Sequence, residues 1–240
     1  MPKRLQRELE KLKKRILSLG TMVEERVRMA IKSMGDQNAE FAEQVIRTDY
    51  EIDALEVEIE EECLKILALH QPVAMDLRFL AAVIKINNDL ERIGDEAANI
   101  AKCVNYMAKR ERVGIPFEYT EMSEKAESML KMSLDALVNL DLDLAFRVLT
   151  MDDEVDKIYG LIYDQIKEII RKLPDRVGYL INMFLIARYL ERIADHATNI
   201  AEEVIYLIEG EIIRHGKWGQ GPKRIDPDAS ILPKKTRFEY

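Results

Sequence analysis

Residues 90–104 read LERIGDEAANIAKCV, and residues 190–204 read LERIADHATNIAEEV, with ten of the fifteen positions identical. A segment that returns with this fidelity inside one chain marks two copies of one structural unit, each expected to bury its own core. The apolar positions Ile86, Leu90, Ile93, Ala97, Ile100 and Val104 recur at 3.6-residue spacing, as do Ile186, Leu190, Ile193, Ala197, Ile200 and Val204. That period specifies a long amphipathic helix in each copy. The repeated residues also include Glu91 and Asp95, and Glu191 and Asp195. Carboxylates four residues apart lie on one helix face.

The repeat extends upstream. Asp49-x-Glu51-x-Asp53 returns as Asp152-x-Glu154-x-Asp156, and Val27, Ile31, Met34 and Val45 align with Leu130, Leu134, Leu137 and Val148. The small change of spacing between the two motifs falls where one copy reads LALHQPVAMD and the other RKLPDR, which is a change of loop length. Interior prolines are confined to Pro72, Pro116 and Pro174, and helix caps are expected near Gly35–Asn38 and Asn139–Asp141. The chain therefore predicts an all-α protein of two tandem three-helix bundles, six long helices in all. The boundaries are 1–114 and 115–215, with a hinge at Gly114-Ile115-Pro116 and a Gly- and Pro-rich tail over 216–240.

Folding the second helix of each copy back on the third tests the carboxylates. Around Pro72, positions whose numbers sum to 144 lie level, so Asp53 meets Glu91 and Asp49 meets Asp95. Around Leu173-Pro174 the same operation sets Asp156 against Glu191 and Asp152 against Asp195. Four converging carboxylates repel one another, and a hard cation with a preference for oxygen ligands relieves that repulsion. The expected metal ligands are thus Asp49, Asp53, Glu91 and Asp95 in one site and Asp152, Asp156, Glu191 and Asp195 in the other. The carboxylates of the third helices point away from the apolar stripe, so each cluster should be open to the surface. Asn99 and Asn199, one turn further on, extend the polar stripe as added ligands or hydrogen bonders. His196, replaced by Glu96 in the first copy, reads as an exposed helix residue, and Arg92 and Arg192 as local ion pairs.

Composition narrows the function. Of 240 residues, 48% are hydrophobic, enough for substantial cores. The net charge is −8, with basic ends and an acidic body, which argues against nucleic-acid binding and for contact with a membrane that is peripheral at most. The start, MPKRLQRELEKLKKR, lacks a signal-peptide core, and the most apolar stretch, Tyr179 to Ala187, is too short to span a bilayer, so a cytoplasmic protein is expected. Cys63 and Cys103 are not equivalent in the two copies and read as reduced thiols.

Two copies of LERIxDxAxNIA, each preceded by a D-x-E-x-D helix, closely resemble the PhoU family of bacterial phosphate-uptake regulators, over about residues 5–215. The resemblance implies two similar three-helix bundles, multinuclear metal sites on the E/DxxxD motifs, and a homodimer. It also implies a negative regulator that links the ATPase subunit of a phosphate ABC transporter to a sensor histidine kinase and keeps the phosphate-starvation response off. The metal would be a divalent or trivalent ion: iron, manganese, zinc or magnesium. Two departures stand out: Tyr189 replaces Asp89 in the second copy, and the tail after His215 is longer than usual for the family. Competing readings are a di-metal carboxylate enzyme in a helical bundle, which usually presents Glu-x-x-His pairs, and a metal-free helical scaffold.

Overall fold

The structure is a computed structural model that describes residues 3–113 and 119–213. Seven α-helices run through the described residues: α1 Lys3–Asp36, α2 Ala39–Arg47, α3 Tyr50–His70, α4 Met75–Ala108, α5 Tyr119–Asn139, α6 Leu142–Lys172 and α7 Val177–Glu209. The first bundle is α1 to α4 and the second is α5 to α7. The expected hinge and tail lie outside the described residues.

The turns between the first two helices of each repeat are built alike. Asn38 caps α2 by accepting hydrogen bonds from the backbone N–H groups of Glu40 and Phe41, and its counterpart Asp141 caps α6 by accepting from Leu144. The residue before each cap is left-handed, Gln37 at φ 48° and Leu140 at φ 53°. At the other end of the hairpins, Gln71 and Ala74 take positive φ around Pro72, while Pro174–Arg176 form a 3₁₀ turn. Both hairpins therefore fold where the prolines stand.

One expectation about helix number is corrected. The second helix of the first repeat is two helices, because Thr48 turns its backbone N–H and its hydroxyl back onto the carbonyls of Gln44 and Val45 and ends α2. Its counterpart in α6 is Met151, which has no hydroxyl to compete for those carbonyls, and α6 runs on without interruption.

The expectation of two separate cores is corrected as well. The buried side chains of both repeats join in one apolar cluster, and the most extensive packing in the molecule is between α4 and α7, the equivalent helices of different repeats. They run antiparallel, as Lys85 meets Glu203, Asp89 meets His196, and Glu96 meets Arg192. On α4, Ala97, Ala98, Ile100 and Ala101 are all fully buried, because the helix is packed against neighbours on most of its circumference and keeps only the narrow polar face that carries Arg92, Asp95 and Lys102. A second seam joins α1 to α5, where Gly20 lies so close to Leu134 that an added Cβ would stand 2.8 Å from its Cδ2.

Close approach also sets the α3–α4 contact. A Cβ on Gly94 would stand 2.9 Å from Ile52 Cδ1 and 3.2 Å from its Cγ2. The second repeat holds Ala194 and Val155 at the equivalent positions, both fully buried, so a methyl group has moved from one partner to the other. Gly94→Ala is therefore expected to cost about 1–3 kcal/mol by overpacking, against about 1 kcal/mol of helix propensity regained. Adding Ile52→Val should make the double variant more stable than the two single losses predict, by about 1 kcal/mol. A double-mutant cycle in urea measures this coupling, and additive losses would contradict the contact.

Candidate metal centre

Asp49 sits at the N-terminus of α3 and Asp53 one turn further in, while Glu91 and Asp95 occupy successive turns of α4. Asn87 pins the register by donating to the Glu56 carbonyl at 2.9 Å, within one residue of the level that the hairpin reflection predicts. Within each expected set of four, the carboxylates lie near enough to act on one another's charge, Asp49 and Glu91 with Asp53 and Asp95, and Asp152 and Glu191 with Asp156 and Asp195. Asp49, Glu91, Asp95, Asp152 and Glu191 are partly buried; Asp53, Asp156 and Asp195 are exposed.

Electrostatics ties each group together. Burial, then repulsion by Asp53 and Asp95, pushes the Asp49 carboxyl up to about 6. Glu91 is raised by burial and by Asp95 and Asp53, with Arg92 opposing. In the second group burial and Asp195 raise Asp152 to about 6, and burial with Asp195, Asp156 and Asp152 raises Glu191 to about 7. Asp195 is raised too: its outer edge is open to solvent, but the surrounding atoms and Asp156 disfavour its charge. Cations oppose the shifts in both groups: Lys102 and Arg26 act on Asp49 and Arg92 on Glu91, while Arg188 acts on Glu191 and His196 and Arg192 on Asp195.

The middle glutamate of each D-x-E-x-D motif is kept out of the group. Arg26 on α1, nearly buried, donates to Glu51 at 2.6 Å, and Lys125 on α5 donates to Glu154 at 2.6 Å. Nothing in the motif spacing reveals these cross-helix pairs, since Arg26 and Lys125 are not at equivalent positions of the two repeats.

Whether the groups fit a metal can be judged from their own atoms. All eight ligands are hard oxygen donors, and Glu91 Oε2 is buried and accepts no hydrogen bond, with only the Arg92 guanidinium 3.4 Å away, an arrangement that a metal cation would satisfy. Among the described residues, however, no three His, Cys, Asp or Glu side chains already stand close enough to enclose one ion. A bound ion would have to draw the exposed aspartates inward by rotation of their side chains.

Several polar residues take places other than those expected. His196 is not exposed: it is largely covered, and its Nδ1 lies 2.9 Å from Asp89 on α4 of the other repeat. Asn199 donates to the same Asp89 oxygen at 3.1 Å, and Asn99 donates to Glu96 at 3.4 Å, so both amides bond to carboxylates outside the eight expected ligands. Arg192 crosses to the buried Glu96 at 3.0 Å, while Arg92 stays local, near Glu91 and Asp95. The two substitutions that distinguish the copies, Asp89 against Tyr189 and Glu96 against His196, therefore belong to one inter-repeat contact. A two-fold relation between α4 and α7 sets position 89 beside position 196, and Glu96 acts on Tyr189 in the matching place. Beside this network, a polar cleft of about 590 Å³ opens between α3, α4 and α7, lined by Glu56, Glu60, Lys85, Asp89, Asn199 and Glu202. Cys63 and Cys103 are buried free thiols.

Raised carboxyl groups predict how stability follows pH. Each binds its proton more tightly in the folded than in the unfolded chain, so its contribution favours folding as pH falls from about 7, through the Glu191 and Asp152 values, towards the ordinary carboxylate range. Metal-free protein should therefore gain in melting temperature relative to the Asp152→Asn, Glu191→Gln variant between pH 7.5 and pH 5.5. Melting curves of the two proteins that stay parallel across this range would contradict the clustering.

The family profile of the PhoU domain matches residues 16–104 and again residues 119–204, once for each repeat. The chain belongs to the PhoU family. The phosphate-specific transport system accessory protein PhoU homolog of Aquifex aeolicus is 38% identical over 212 residues, covering 88% of this chain and 96% of the homolog. The homolog of the same description from Clostridium acetobutylicum is 37% identical over 205 residues, covering 85% and 94%. The crystal structure of PhoU from Pseudomonas aeruginosa superimposes with a TM-score of 0.82 at 36% identity, covering 86% of this chain and 99% of that one. The α-helical fold is thus the PhoU fold. Among the described residues no helix is long and apolar enough to cross a membrane.

Proposed function

We propose that this PhoU-family chain is a negative regulator of phosphate uptake and of the phosphate-starvation response. It works in the cytoplasm by contact rather than catalysis, as a homodimer that joins the ATPase subunit of a phosphate ABC transporter to a sensor histidine kinase. The observation that carries this reading is the match of both repeats, and of nearly the whole length of the relatives, to phosphate-specific transport accessory proteins. The two carboxylate groups hold divalent or trivalent metal ions, supported by the raised proton affinity that burial and mutual repulsion give Asp49, Glu91, Asp152, Glu191 and Asp195, and by a buried Glu91 oxygen that accepts no hydrogen bond. Bound metal would lock the outer turns of the helix pairs on an otherwise repulsive face. The test is deletion of the gene in its host, with phosphate-regulon expression measured in high phosphate. Expression should rise on deletion and return to its repressed level on complementation; repression that survives deletion would overturn the regulator reading.

A further inference from the structure

The outer face of α3 carries Tyr50, Ala54, Val57, Glu61, Leu64 and Ala68 at alternating spacings of four and three residues, all exposed. Tyr50 is 66% exposed, Val57 50% and Leu64 54%. Apolar but for Glu61, this face has the spacing of a coiled-coil seam with no second helix upon it, roughly 27 Å long at 1.5 Å per residue. The repeat supplies an internal control. The equivalent positions of α6 are Asp153, Lys157, Gly160, Asp164, Lys167 and Arg171, also all exposed. Two helices with the same place in the same fold are under the same folding constraints, and one of them does without any apolar residue on this face. Burial within the chain therefore does not explain the apolar stripe on the other.

The chemistry around the stripe selects what covers it. Between Tyr50 and Ala68 the helix carries seven acidic side chains and one basic, Lys65. Glu51 and Glu58 are tied to Arg26 and Arg15, Glu56 accepts from Asn87, Asp53 belongs to the carboxylate group beside α4 and Glu62 is partly buried, which leaves the exposed Glu60 and Glu61 to face a partner. A second copy would bring like charges together along this seam, which is destabilising. The chain's own residues 214–240 carry seven basic and three acidic side chains, so truncation is needed to separate them from another protein as the occupant. An anionic membrane surface is repelled by the same carboxylates.

We infer that the exposed face of α3 is a docking surface for an amphipathic helix of another protein, one with an apolar seam flanked by lysine or arginine. It rests on the reading of the chain as a regulator that works by contact, and it places that contact on the first repeat alone. The binding mode is helix on helix, with Tyr50, Val57 and Leu64 as apolar anchors and Glu60 and Glu61 selecting basic flanks.

Two fluorescein-labelled synthetic helices of three heptads serve as probes, both with leucine along the seam, one flanked by lysine and the other by glutamate. Fluorescence anisotropy with the full-length chain should show the lysine-flanked helix binding at least about tenfold tighter. Val57→Glu with Leu64→Glu should weaken it by about tenfold or more while leaving helicity and melting temperature unchanged, since both side chains are exposed. Lys167→Glu on α6 should change nothing. If the double variant fails to fold, Tyr50→Lys gives the same readout at the most exposed of the three anchors.

Equal binding of the two probes, or binding indifferent to the variants, overturns the proposal. So does a parent dimer that the double variant converts to monomer, which assigns the face to a second copy, or a tenfold gain in affinity on truncation after Ile213, which assigns it to the chain's own tail. In cells, the double variant should lose phosphate repression at normal protein levels. Full repression by that variant removes this surface from the contact and leaves the regulator reading standing, whereas failure of the parent chain to complement removes the regulator reading itself.

Discussion

Leu134→Ala is expected to destabilise the whole molecule by about 2–5 kcal/mol, the range for removing a buried leucine from a core that can only partly collapse. Leu134 belongs to the second repeat but packs against Gly20 of the first, and both repeats share one apolar cluster. The cavity opens at the seam between the repeats, where neither bundle can close it alone. Denaturant unfolding should remain a single transition, shifted as a unit, with hydrogen exchange accelerated in α4 and α7 together. Two separated transitions, with only the second repeat shifted, would show that the bundles are independent and that α4 and α7 merely touch.

A comparable effect is expected from metal. If each group of carboxylates takes a cation, an ion present at a hundredfold over its dissociation constant stabilises the fold by about 2.7 kcal/mol for one site. Chelator-treated protein should therefore melt markedly higher on addition of manganese, iron or zinc. Asp53→Asn with Glu91→Gln should abolish the first site's share, and Asp156→Asn with Glu191→Gln the second's. In the absence of metal each pair of changes should leave stability unaltered or slightly improved, because the lost charges repelled one another. Variants that bind metal like the parent, or a parent indifferent to all these ions, would reduce the carboxylates to solvated helix faces.

The sequence by itself determined the helices, their hairpins and the level at which the carboxylates meet. Helix period, caps and prolines are local features: Asn38 and Asp141 stand where the turns are, and Pro72 and Pro174 mark where the chain reverses. Once a hairpin has a centre, chain connectivity alone sets which residues face one another, so Asp49 with Asp95 and Asp152 with Asp195 were legible from their numbers. The tertiary structure decided what no local pattern encodes. The break at Thr48 depends on one hydroxyl outcompeting a helical hydrogen bond. The diversion of Glu51 and Glu154 to Arg26 and Lys125 depends on which turn of the first helix lies alongside. The pairing of His196 with Asp89 requires the two repeats to dock antiparallel through α4 and α7. That docking is driven by non-directional burial of apolar surface, which gains free energy in many arrangements and is settled only when the side chains of both faces interlock.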